Sequence, residues 1–263
     1  MKKISLIIIC LIFCVIANFA QKIGTWQISV GSGLSGIEYN APGINNKTGI
    51  GLNGQILYKI PLTTNLGIGV GIGCNYLSRL LDADPLNYSE TMIDEDGDSF
   101  DYNVFGSKLS EKQTWGIIEF PVVCMWESKF NTFLNYYFTG GASVLLPVIK
   151  KYSFEKGVIE FSGTYPQYNV ELKEIPIHGF GIVNLDKESD LKTKITPALI
   201  CDAGVKLGTG KTRFLVGLYA KYSLGSMVKT EPILEYPMVI NSLSNISEKS
   251  KFYSFGIKIG MEL

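Results

Sequence analysis

The chain has 263 residues, with 24 lysines and arginines balanced by 24 aspartates and glutamates. A neutral chain offers no electrostatic footprint for nucleic acid, and this length closes one core or one barrel. Charged residues are only 18% of the total, yet no internal apolar run approaches the roughly 20 residues of a spanning helix, which argues against a helical membrane protein.

At the N-terminus, Lys2 and Lys3 precede the apolar run Ile4 to Ile16 and the small residues Ala17 and Ala20, the pattern of a secretory signal peptide. The expected organisation is a signal at 1–20 and a barrel domain at 21–263, with cleavage after Ala17 as the alternative. Bulky Ile9 and Phe13 before Cys10 and Cys14 disfavour lipid attachment. Export leaves Cys74, Cys124 and Cys201, an odd set without close spacing, so neither a disulfide framework nor a metal site. All three fall on the apolar parity of their segments and read as small hydrophobes facing lipid.

A first strand spans about Lys22 to Gly33, where Trp26, Ile28 and Val30 alternate with Gln27, Ser29 and Gly31. A second runs from Gly49 to Ile60. The third, Leu66 to Leu77, reads LGIGVGIGCNYL, with Leu66, Ile68, Val70, Ile72, Cys74 and Tyr76 on one face and four glycines and Asn75 on the other. Side chains on a strand alternate with period two, and a helix would lose about 1 kcal/mol at each glycine, so both period and propensity favour a strand. The acidic stretch Ser78 to Glu111 reads as a solvated loop. Further strands are expected at Lys112 to Trp126, Thr132 to Leu146, Lys194 to Leu207, Thr212 to Leu224 and Lys251 to Leu263.

Connections between these segments alternate long and short. Outer-membrane barrels have that asymmetry, with short periplasmic turns and long extracellular loops. The expected fold is all-β, an eight-stranded antiparallel up-and-down transmembrane β-barrel. Strand-like patches at 152–165 and 171–183 in the connection 147–193 are expected to extend the neighbouring strands above the membrane, and ten strands are possible if this connection adds a hairpin. If the first strand rises from the periplasm, Trp26, Tyr58, Trp126 and Tyr136 fall at periplasmic ends of outward faces, and Tyr76, Tyr222 and Tyr253 at extracellular ends. Such aromatic girdles bound barrel exteriors at the membrane interfaces.

The inward parity carries Lys59, Glu119, Asp202, Lys206, Arg213, Lys221, Lys258 and Glu262. An eight-stranded barrel is only wide enough for side chains to fill, so these charges must pair. Glu119 and Asp202 are expected to accept hydrogen bonds from some of Lys206, Lys221 and Lys258. The glycines of the third strand leave room for large inward rings such as Trp115, Tyr137 or Tyr219.

At Ile118 to Val123 the chain reads IEFPVV. Proline in a strand interior removes a ladder hydrogen bond, so a bulge is expected at Pro121. This motif, with the glycine-rich strands and the terminal alternation Tyr253 to Leu263, resembles the outer-membrane β-barrel domain family that includes the PorT-like proteins. The resemblance implies an integral outer-membrane barrel, tied in some members to secretion or surface functions. The last strand also looks like the signal read by barrel-insertion machinery, although Leu263 stands where an aromatic residue is common.

The expected role is structural or interactive: a plugged barrel in Gram-negative outer-membrane lipid, with an unknown partner at its extracellular loops. No catalytic residue, cofactor or metal ligand is assigned. The alternatives are a lipid-modifying enzyme, whose only candidate base is His178, a small-solute pore, and a soluble binding barrel. The acidic run Asp94 to Asp101, DEDGDSFD, departs from the calcium-loop pattern at Met92 and Asn103, and a solvated loop is the preferred reading.

Overall fold

The computed structural model describes residues 24–40, 43–184, 188–210, 212–229, 234–235, 239–240, 242–247 and 249–263. The expected signal peptide lies outside the described residues. Eight strands form the wall: β1 Thr25–Tyr39, β2 Gly49–Pro61, β3 Leu66–Ala83, β4 Ser99–Lys129, β5 Leu134–Tyr165, β6 Thr196–Leu207, β7 Arg213–Ser223 and β8 Ser250–Glu262. Each pairs antiparallel with its neighbours in sequence. β8 then pairs with β1 in unbroken register from Gln27↔Glu262 to Tyr39↔Ser250, and the sheet closes on itself. Closure leaves the ring without an edge. The ten-strand alternative does not hold: Val170–Leu172, Gly181–Asn184 and Glu188–Asp190 pair onto the far half of β5 and do not enter the ring.

The wall is inside out. Val30, Leu52, Ile72, Val122, Leu218 and Ile257 are exposed on its outer face, while Glu119, Lys206, Lys258 and Glu262 are almost fully buried within. A water-soluble barrel does the reverse, because burying charge is costly and burying apolar surface is favourable.

Two strands far outrun the others. β4 has 31 residues and β5 has 32; at roughly 3.4 Å per residue each extends about 100 Å, several times a hydrocarbon core. The segment Ser78 to Glu111, expected as a loop, is therefore mostly strand. β3 continues to Ala83, and Leu86–Ile93 forms a hairpin with the start of β4. Acidic residues occupy the wet face of this hairpin, while Phe100, Tyr102 and Val104 on its other face are buried. They join Ile37, Leu77, Leu81, Trp115, Phe161, Phe180 and Phe252 in one apolar cluster across the loop half of the barrel. Tyr102 stacks on Phe161 at 5.8 Å and Phe100 on Tyr165 at 5.1 Å.

Trp115 and Phe252 lie inside by plain alternation, whereas a register shift turns Phe100, Tyr102 and Val104 inward. Between β4 and β5 the register slips at Gly116/Ile117, where Val148 is the extra residue, and again at the adjoining steps Ser107/Ser110 and Ser110/Glu111. A one-residue slip moves side chains to the opposite face. At the second slip Gly157 has φ 126° and a side chain there would press within 2.5 Å of Leu109, so only glycine fits. No bulge occurs at Pro121, contrary to the expectation. Its pairing with Ser143 is regular, and β3 and β4 keep one register on either side, from Val70↔Val122 to Gly73↔Glu119. The ladder simply omits the pairs at Gly71 and Ile72, which accommodates the missing N–H without an added residue.

Candidate functional site

The lumen divides by chemistry. Above lies the apolar cluster; below, towards the short turns, the inward face of β2, β4, β6, β7 and β8 carries charge. Lys221 donates to Glu119 at 2.5 Å and to Asn75 Oδ1 at 3.1 Å, while Asn75 Nδ2 donates to the same Glu119 oxygen at 3.0 Å. Lys258 donates to Asp202 at 2.5 Å and stands 5.9 Å from the ring centre of Tyr137. Lys206 reaches neither Glu119 nor Asp202. It bonds Glu262 and Glu127, and Arg213 bonds the same two carboxylates. Lys59 completes this lower group through Glu127 at 2.5 Å. Fully enclosed charges are tolerated only when bonded in this way, since a lone ion loses its hydration without replacement.

Glu127, one residue past the strand end expected at Trp126, belongs to β4, and its side chain is only 11% exposed. It stands two residues beyond the inward Met125, so parity alone identifies it. The filling of the glycine-rich stave also differs from expectation. A Cβ on Gly69 would meet Val123 and Met125, and one on Gly67 would meet Lys59. The rings of Tyr219 and Tyr137 lie instead against Gly31 and against Gly204 and Gly217. Trp115 belongs to the apolar cluster.

A second polar group, not singled out from sequence, sits in the apolar half. Buried Glu111 accepts from Ser242 Oγ and Gln113 Nε2, both at 2.6 Å, and from the Leu243 amide at 2.6 Å. It thus anchors the short 3₁₀ turn Leu243–Ile246, from the connection between β7 and β8, inside the loop end. Tyr39 donates to Gln113 Oε1 at 3.0 Å. Arg79 donates to the Ile37 carbonyl and to Asn46 at 3.2 Å, with its guanidinium 5.4 Å from the Tyr39 ring centre. Burial pushes the Glu111 carboxyl up to about 7, against its hydrogen bonds and the nearby Arg79 charge. Burial also raises the Tyr39 phenol and lowers the Arg79 guanidinium.

All seven residues assigned to the girdles face outward. Trp26, Trp126 and Tyr136 are exposed at the turn end, where the Trp26 and Tyr58 rings approach to 4.9 Å. Tyr76 and Tyr222 are exposed nearer the loop end, and Tyr222 pairs directly with Tyr253. Cys74, Cys124 and Cys201 are also exposed. His178 lies exposed on the 3₁₀ turn Pro176–His178. In the acidic run, Asp94 accepts from the amides of Asp96 and Asp98 and forms the hairpin tip, while Tyr168 donates to Asp98 at 2.9 Å. Among the described residues no three His, Cys, Asp or Glu side chains converge on a metal position.

No protein-family model and no curated protein matches the chain. Among solved structures it is similar to Ail, the attachment invasion locus protein of Yersinia pestis, in complex with the heparin analogue sucrose octasulfate. Identity is 12%, over 91% of this chain and 99% of that one, with a TM-score of 0.32. It is also similar to Neisserial surface protein A, with 9% identity over 90% of this chain and 96% of that one and a TM-score of 0.35. The fold is that of an outer-membrane β-barrel. The closed ladder and the inverted distribution of charge in this chain carry that assignment by themselves.

Proposed function

We propose that the chain is an integral outer-membrane protein of a Gram-negative bacterium, exported behind a cleaved signal peptide, with a structural or interaction role. The observation that carries this reading is the uncharged apolar belt between the two aromatic rows, wrapped around a lumen of bonded ions. Only hydrocarbon rewards such an exterior. The short turns then face the periplasm, and the elongated ends of β3, β4 and β5 stand outside the cell. The last strand presents itself to the barrel-insertion machinery, and the kinship to PorT-like barrels drawn from IEFPVV belongs to the same proposal.

The interior is plugged in this reading. Trp115, Ile117, Leu145 and Phe252 are buried across the loop half, and a side-chain-filled eight-stranded barrel has no room for a water column. No catalytic role is assigned. The lumen carboxylates brace lysines and arginine, and the extension with its loops meets the partner. Its tip carries Asp94, Glu95, Asp96 and Asp98 beside the exposed Ile93 and Tyr168, which favours a cationic or apolar partner over a polyanion. Fractionation with alkaline washing and a heat-modifiable gel shift tests the proposal. Retention in the membrane with a heat-dependent shift is expected; release as a soluble species would overturn it and favour a soluble binding barrel.

A further inference from the structure

The charged half of the lumen opens at the turn end. A cavity of about 270 Å³ lies there, lined among others by Lys59, Lys129, Arg213, Glu127, Glu262 and Thr63. Lys206, directly behind, bonds both carboxylates. The inner group is thus three cations, Lys59, Lys206 and Arg213, against two carboxylates, and no side chain among the five is more than 20% exposed. Lys129, exposed at the rim, adds a fourth cation.

Among the described side chains, no third carboxylate bonds to these cations. Glu127 already accepts from Lys59, Lys206 and Arg213, and Glu262 from Lys206 and Arg213. An uncompensated charge within low-dielectric walls draws counter-ions strongly, because the walls focus its field. Donors remain for such an ion, since an ammonium carries three N–H groups and a guanidinium five. Thr63 Oγ1 already accepts from the Asn65 and Leu66 amides, which leaves its proton free to donate.

We propose that this mouth binds a phosphate-class anion. One net positive charge inside and a second at the rim match a phosphate group of one to two negative charges. The volume falls just below the roughly 300 to 1,000 Å³ typical of pockets for drug-sized ligands, so the occupant is small. The source is either free phosphate or the headgroup of an anionic lipid in the surrounding leaflet. The geometry of the site is independent of the membrane reading; only the lipid source rests on it.

The test uses the full mature chain in maltoside micelles, titrated calorimetrically with inorganic phosphate. In parallel, the chain in nanodiscs of phosphatidylglycerol or phosphatidylcholine is scored for retained lipid by native mass spectrometry. Saturable phosphate binding assigns the free anion, and selective retention of phosphatidylglycerol assigns the headgroup. Lys129→Gln, at an exposed rim position, is expected to weaken whichever binds by about threefold. Arg213→Gln, checked for folding by its heat-modifiable shift, is expected to weaken it by roughly tenfold. A folded barrel that binds neither probe, or variants with unchanged affinity, would overturn the inference. Phosphate binding by a chain that proves not to be membrane-integral would leave the inference standing while the proposed function fails.

Discussion

Within the wall, Glu119 and Lys221 show how a barrel that is inverted relative to water handles its ions. Each is held by the other and by the Asn75 amide, so removing one strands its partner in a closed space. Glu119→Ala is expected to cost about 3 to 5 kcal/mol in urea unfolding of the detergent-folded barrel, whereas Glu119→Leu combined with Lys221→Met should recover most of that loss. If the double variant is as unstable as the single one, the damage comes from packing and not from an orphaned charge. Glu111 behaves differently because burial outweighs its hydrogen bonds and raises its carboxyl to about 7. The folded chain therefore holds a proton on Glu111 that the unfolded chain has released, and the contribution of this group to stability is most favourable below the ordinary glutamate range. It should fall as pH rises from about 4.5 to about 7, by on the order of 3 kcal/mol. Glu111→Gln should flatten that slope in unfolding curves taken across this range.

At the scale of the element, β4 and β5 each do two jobs. Their turn-side halves close the ring around bonded ions, and their far halves fold an apolar cluster outside the belt. The slip at Gly116/Ile117, with Val148 as the inserted residue, lets Leu145 below and Tyr152 and Phe154 above all point inward. Deleting Val148 is expected to turn Tyr152 and Phe154 outward, because a single-residue shift reverses faces. Limited proteolysis should then cut the extension while the heat-modifiable shift of the lower wall persists. A variant as protease-resistant as the natural chain would mean that the bulge does not set the register.

For the whole molecule, the proposed role rests on a division along the barrel axis: ions at the turn end, apolar packing at the loop end, and an apolar belt around the first. In the proposed reading the apolar half plugs the lumen, so planar bilayers containing the folded protein should show no stable conductance steps, in contrast to wide aqueous channels of about 16 strands. The belt makes a separate prediction. Cys74, Cys124 and Cys201 lie on the outer face, so in membranes they should react with an apolar maleimide and resist a charged one. Unfolding in denaturant should abolish that difference.

Much of this was determined by the sequence alone. Period-two alternation in Leu66 to Leu77, in Ile118 to Trp126 and in Tyr253 to Leu263 assigns both faces of those strands, because a strand has only two sides. The alternation of short and long connections orders the strands around the ring, and the outward aromatics mark the belt. Parity also carried Lys59, Arg213 and Glu262 into the lumen, and could have carried Glu127. The tertiary structure decided what depends on contacts between distant strands. Which lysine meets which carboxylate is set by proximity across the lumen, so Lys206 goes to Glu127 and Glu262 and leaves Asp202 to Lys258. The extension was legible only in part: the patch at 152–165 reads as a continuation of its neighbouring strand, but acidic residues on the wet face mask the alternation of Phe100, Tyr102 and Val104, and slips at Ser107/Ser110, Ser110/Glu111 and Gly116/Ile117 switch the inward parity along β4 and β5. Glu111 became a buried anchor only when the connection between β7 and β8 folded back onto it, a contact spanning 131 residues that no local pattern encodes.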